Sequence, residues 1–199
     1  METYNLANIT KKIYESDFKF FSIKTLKDIL GTENERTLFS ILKRLLKSEV
    51  LLKIERNKYI LKGVKTHDFS LANFVYSPSY ISFETALNYY GILSQFPYEI
   101  VSATPRKTTQ KIINNKSFTY IHLKKNLFWG YEKRDEFVIA LPEKALIDQA
   151  YLASKGLRNL NLDEYDFSLI DSKRFKEYLD NYPKTKQFNK FISLIDKHI

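Results

Sequence analysis

Leu38, Ile41, Leu42, Leu45 and Leu46 recur at the i, i+3, i+4, i+7, i+8 spacing that lines one face of a helix. Thr32-Glu33-Asn34-Glu35 reads as its start signal, with Thr32 as the cap and Glu35 reaching back to it as a capping box, and Gly31 ends the helix before it. At about 100° per residue, Arg36, Ser40, Lys43 and Lys47 fall in a narrow arc almost opposite the apolar stripe, with Arg44 beside them. Residues 9–14 and 23–30 read as two earlier helices. Residues 50–61 read as two short strands, VLLKIE and KYIL, around the turn Arg56-Asn57-Lys58, which sets two cations at a hairpin tip. Three helices and a hairpin in this order predict a winged helix-turn-helix over residues 1–66.

Beyond a boundary near residues 62–68, helix and strand signals alternate. Ser82 is placed to cap a helix over residues 83–90 that stops at Gly91, and an extended stretch follows at 98–103. After a basic connection, residues 118–123 and 137–140 read as strands. Pro142 suits the first position of a helix running to about Ala153, with Gly156 beyond its end. Ser172 is placed to cap a helix through Leu179, Pro183 breaks it, and Phe188, Phe191, Ile192 and Ile195 mark one face of a last helix. The fold class expected is α+β: a winged helix-turn-helix, then a mixed α/β domain over residues 67–199 with a helical tail.

Charge sharpens the reading of the first domain. The chain of 199 residues has a formal net charge of +9, and residues 1–66 hold 14 Lys and Arg against 8 Asp and Glu. The positive charge is thus concentrated on the segment that carries the two-faced helix. A basic surface that neutralises phosphates releases counterions, which gives affinity for double-stranded DNA that falls with salt. Arg36 and Ser40, near the helix start, are expected to meet bases, and Lys43, Arg44 and Lys47 to meet phosphates. Arg56 and Lys58 are expected on the DNA backbone or in the minor groove. Arg106, Lys107 and Lys111 form a second basic set, which either extends the footprint, helps two copies bind repeated sites cooperatively, or is a solvated loop.

Other chemistries find little support. With no cysteine, disulfides, thiolate catalysis and cysteine-based zinc fingers are excluded. His67, His122 and His198 share no short metal-ligand spacing, no Gly-rich phosphate loop is present, and Asp171-Ser172-Lys173 has no acidic partner at a strand end. Glu132, Asp135 and Glu136 fall in what reads as a polar turn, and Trp129 with its aromatic neighbours reads as core in a strand. No catalytic residue, metal or cofactor is expected. METYNLANITKK lacks an apolar signal region and no apolar run approaches bilayer length, so a cytoplasmic protein without membrane partners is expected.

Several segments carry a resemblance. The run Pro78-Ser79-Tyr80-Ile81-Ser82-Phe83-Glu84-Thr85-Ala86-Leu87-Asn88-Tyr89-Tyr90-Gly91-Ile92, then Phe96-Pro97 and Val101-Ser102-Ala103-Thr104-Pro105-Arg106, resembles the AbiEi family of antitoxins. Phe128-Trp129-Gly130-Tyr131 is similar to that family's aromatic–glycine step, and Leu141-Pro142-Glu143-Lys144-Ala145-Leu146-Ile147-Asp148 to its Pro-Glu-Lys-Ala-Leu helix start. Together with the N-terminal helices and hairpin, the resemblance spans about residues 5–155. It implies a bacterial type IV antitoxin, active in abortive infection, that represses its own operon and is paired with a nucleotidyltransferase-like toxin without needing a stable complex. The residues alone leave open two alternatives, a winged-helix module that binds the toxin directly and a stand-alone transcriptional regulator.

Overall fold

A computed structural model of the chain describes residues 5–199. The first four residues of METYNLANITKK lie outside the described part. The fold is mixed α/β, compatible with an α+β class, and among the described residues it has eight α-helices and two sheets. No described helix is long and apolar enough to cross a membrane. The chain divides into two compact units, Met1–Thr66 and His67–Ile199.

In the N-terminal unit, α1 (Leu6–Glu15), β1 (Phe20–Ser22), α2 (Ile23–Leu30), α3 (Glu35–Lys47), β2 (Leu51–Glu55) and β3 (Lys58–Leu61) follow in order. The three strands make an antiparallel sheet in the order β1-β3-β2, with Phe21 opposite Tyr59 and Leu51 opposite Leu61. β1 is not legible as a strand locally, since three residues carry no period and depend on β3 for pairing. Ile9, Ile13, Phe21, Leu26, Leu30, Leu38, Ile41, Leu42, Leu45, Leu51, Tyr59 and Leu61 close one apolar core under the helices.

The C-terminal unit holds α4 (Asp68–Val75), β4 (Tyr80–Ile81), α5 (Phe83–Tyr89), β5 (Ile100–Thr104), β6 (Thr109–Ile113), β7 (Lys116–His122), β8 (Tyr131–Arg134), β9 (Phe137–Ala140), α6 (Pro142–Ala153), α7 (Ser172–Leu179) and α8 (Lys186–Ile195). Its six strands form a mixed sheet in the order β6-β7-β5-β4-β9-β8, with the β5–β7 and β4–β9 pairs parallel. Helix α4 packs on the central strands, α5 on β5, and α6 lies against α5, α7 and α8.

Within the C-terminal unit the structure departs from the local expectations at several places. The basic connection contains β6, so Lys111 sits on a strand. Glu132 belongs to β8, where it pairs with Arg134, while Asp135 and Glu136 occupy the turn. Trp129 lies in an irregular stretch before β8, half-buried. Helix α7 is capped one residue earlier than Ser172: the Asp171 carboxylate accepts from the N–H groups of Lys173 and Arg174, both at 3.0 Å.

Candidate nucleic-acid interface

Helix α3 begins where α2 is stopped by Gly31, which takes the left-handed conformation (φ 61°) and donates its N–H to the Lys27 carbonyl at 2.9 Å. The capping box at Thr32 does not form. Thr32 is buried and its own N–H follows Gly31 onto Lys27, so the cap falls to Asn34, whose Oδ1 accepts from Thr37 N at 3.1 Å. Glu35 turns instead toward Lys27 of α2, 3.6 Å away. An acidic residue in this first turn also suits the positive end of the helix.

The two faces of α3 separate as the spacing requires. Leu38, Ile41, Leu42 and Leu45 are at most 5% exposed, whereas Arg36, Ser40, Lys43, Arg44 and Lys47 all reach solvent. The five sequence-predicted residues of this helix therefore share one exposed side, held rigid by core packing behind it. Phe39 lies on the same side, 50% exposed, and the apolar period alone does not mark it as part of that face.

The hairpin after α3 turns through Arg56 and Asn57, with Asn57 in the left-handed region (φ 59°) and an irregularity in register between Lys53 and Glu55. Arg56 is exposed at the tip. Lys58 departs from expectation: it is the first residue of β3, half-buried, and its Nζ lies 3.1 Å from Glu55 Oε2. The register that sets Glu55 opposite Lys58 joins the two charges, so Lys58 is not a tip cation. Lys53, exposed on β2, is a cation of the hairpin that the linear pattern does not single out.

The second basic set lies in the C-terminal unit and is bound into its own fold. The Arg106 guanidinium stacks 4.1 Å from the centre of the Tyr76 ring and donates to the Ser77 carbonyl at 3.0 Å. Lys111 Nζ approaches the same ring at 5.8 Å, and the Tyr76 hydroxyl donates to the Lys107 carbonyl at 3.0 Å. Arg106 and Lys107 are exposed and Lys111 half-buried.

A buried polar cluster, not legible in the sequence, organises the C-terminal unit. Lys144 and Asp148 sit one turn apart on α6 with side chains completely buried. Lys144 Nζ donates to Asp148 Oδ1 at 2.5 Å, to the Tyr80 hydroxyl at 3.0 Å and to the Tyr182 hydroxyl at 2.7 Å. Those two hydroxyls and Ser82 Oγ donate in turn to Asp148 at 3.1, 2.5 and 3.0 Å. Ser82 thus stands at the start of α5 but directs its hydroxyl to Asp148 instead of capping the helix. Burial pushes the Lys144 ammonium below the ordinary lysine value, with Asp148 opposing the shift. Burial first, and the Asp148 charge second, raise the Tyr80 and Tyr182 phenols well above theirs.

All three ammonium hydrogens of Lys144 are matched by acceptors and its side chain is completely buried, so the arrangement holds structure together instead of presenting a reactive amine. Gly130 makes room for it: at φ +71°, a Cβ there would lie 2.9 Å from Lys144 Cγ. Residues far apart in sequence therefore meet at one place: Tyr80 on β4, Ser82 at the start of α5, Gly130 before β8, and Lys144 and Asp148 on α6. The C-terminal tail completes the set. It supplies Tyr182 to Lys144 and Asp148, and Asp171 N and Arg174 to the buried Glu143 at 3.0 and 3.4 Å.

Elsewhere, the Asp171 carboxylate is engaged in its cap, and no group of three or more His, Asp or Glu among the described residues could hold a metal ion. No family model matches the chain, and no curated protein matches it.

Proposed function

We propose that the N-terminal unit is a winged helix-turn-helix that binds double-stranded promoter DNA, with α3 in the major groove and the β2–β3 hairpin as the wing, and that the protein is an antitoxin of the AbiEi type repressing its own operon. One observation carries the DNA-binding part: Arg36, Ser40, Lys43, Arg44 and Lys47 occupy the exposed side of a helix whose opposite side is locked in the core. A cationic stripe on a rigid rod about 20 Å long, at roughly 1.5 Å per residue, suits the width and charge of the major groove. Arg36 and Ser40 read bases near the helix start, Lys43, Arg44 and Lys47 meet phosphates, and Arg56 with Lys53 meets the backbone beside them.

The antitoxin part is supported by the resemblance in the C-terminal unit. Tyr80, Ser82, Gly130, Lys144 and Asp148, five of the residues behind that resemblance, belong to its buried cluster, so what they support directly is a shared core, and activity follows by analogy. The partner in that reading is a nucleotidyltransferase-like toxin, with no stable complex required. The protein has no enzymatic role in it, needs no cofactor and acts in the cytoplasm.

The test is a mobility shift of the purified chain on the DNA immediately upstream of its own gene, against a scrambled duplex at several salt concentrations. Preference for the upstream DNA that persists near physiological salt is expected. Equal binding to both duplexes that disappears together as salt rises would overturn the repressor reading. Toxicity of the neighbouring gene product, relieved by co-expression of this chain, tests the antitoxin role separately.

A further inference from the structure

Phe39 is the exception on its side of α3. Every other exposed position of that helix, Glu35, Arg36, Ser40, Lys43, Arg44 and Lys47, is charged or carries a hydroxyl, yet Phe39 is an aromatic ring left half in solvent. It follows Arg36 by three residues and precedes Lys43 by four, so it borders both cations on the helix surface. Helical side chains lean toward the N-terminus, which directs the ring to the end of α3 that meets base edges in a helix-turn-helix. If the face served only to neutralise phosphates, an apolar ring there would add nothing and would cost solvation.

We infer that Phe39 is a specificity residue that packs on the C5-methyl group of thymine in the major groove, so that the sites preferred by this protein carry a thymine opposite the first turns of α3. The inference rests on the DNA-binding reading above. Its chemistry is selective because thymine alone among the four bases carries a methyl group on its major-groove edge, where cytosine has only a C5 hydrogen and the remaining recognition groups are donors or acceptors. Burying one methyl against a ring is worth about a fourfold change in affinity, small beside the phosphate contacts but specific to one base.

The experiment begins with duplexes selected by the purified full-length protein from a random-sequence pool, and measures affinity by fluorescence anisotropy at fixed salt. Each thymine of the best duplex is then replaced by deoxyuridine, which removes the methyl and leaves pairing and hydrogen-bonding groups intact. At one or two positions the wild-type protein is expected to bind about threefold to tenfold more weakly. Phe39→Ala should bind the thymine duplex more weakly by a similar factor and be indifferent to the replacement, while Phe39→Leu, which keeps an apolar side chain, should retain part of the discrimination. Unchanged melting of both variants excludes a folding defect, as expected for a half-exposed side chain. Deoxyuridine without effect on the wild type, or with the same effect on Phe39→Ala, overturns the assignment while leaving DNA binding standing. A pool that never enriches a sequence overturns the DNA-binding reading and this inference with it.

Discussion

Substituting Lys144 and Asp148 singly and together asks whether the buried cluster behaves as one unit. Both side chains are completely buried, and Lys144 donates to Asp148, Tyr80 and Tyr182. Lys144→Met keeps the stem volume but leaves the Asp148 carboxylate buried with three hydroxyl donors and no countercharge. Removing one partner of a buried pair in this way costs about 3–5 kcal/mol. Asp148→Asn keeps an acceptor for the hydroxyls but strands the ammonium, at a similar cost. The double variant carries neither charge, so its destabilisation should resemble that of one single variant and fall short of the sum by at least about 2 kcal/mol. Urea unfolding of the full chain reads this through Trp129, the chain's single tryptophan, whose ring lies 5.2 Å from Lys144 Nζ and packs edge-on against Tyr178. A single variant that costs under about 1 kcal/mol, or two effects that add within about 0.5 kcal/mol, would refute a coupled buried pair.

Gly130→Ala should destabilise the C-terminal unit by about 2–4 kcal/mol, since left-handed strain adds to a clash with the buried Lys144 stem, whereas Gly31→Ala, with open space around it, should cost only about 1 kcal/mol. Trp129 fluorescence and far-UV circular dichroism report the two separately. Stability should fall as pH rises above about 10: the Tyr80 and Tyr182 phenols are raised in the folded state, so the unfolded chain releases those protons first and each lowers stability by up to about 1.4 kcal/mol per pH unit. Lys144, lowered in the folded state, acts with the opposite sign at pH values below its ordinary pKa near 10.5, and stability that stays flat from about pH 10 to 11.5 would contradict the burial of the phenols. Arg36→Ala with Lys43→Ala should abolish preference for upstream DNA and lower the salt slope by about 0.9 for each phosphate no longer neutralised, with melting unchanged because both side chains are exposed.

What the sequence determines by itself is whatever is carried by neighbours along the chain. The span of α2 and of β9, and the start of α6 at Pro142, are legible because apolar period, glycine and proline act over a few residues. So is the two-faced character of α3, and with it the placement of Arg36, Ser40, Lys43, Arg44 and Lys47 on one exposed side. Tertiary structure decides what depends on residues distant in sequence. β1 and β4, three and two residues long, exist only by pairing with β3, β5 and β9, and α4 is hard to see in the sequence because its buried residues mark no clear stripe. Lys58 has the local signature of a hairpin-tip cation, and strand register is what sets it against Glu55. Lys144 and Asp148, spaced one turn apart, have the pattern of an ordinary surface ion pair, and only the arrival of Tyr80 and Tyr182 from 64 and 38 residues away makes them the buried centre of the C-terminal unit. A helical period says which positions share a face, but not whether that face meets water or another part of the chain; that depends on what packs against it.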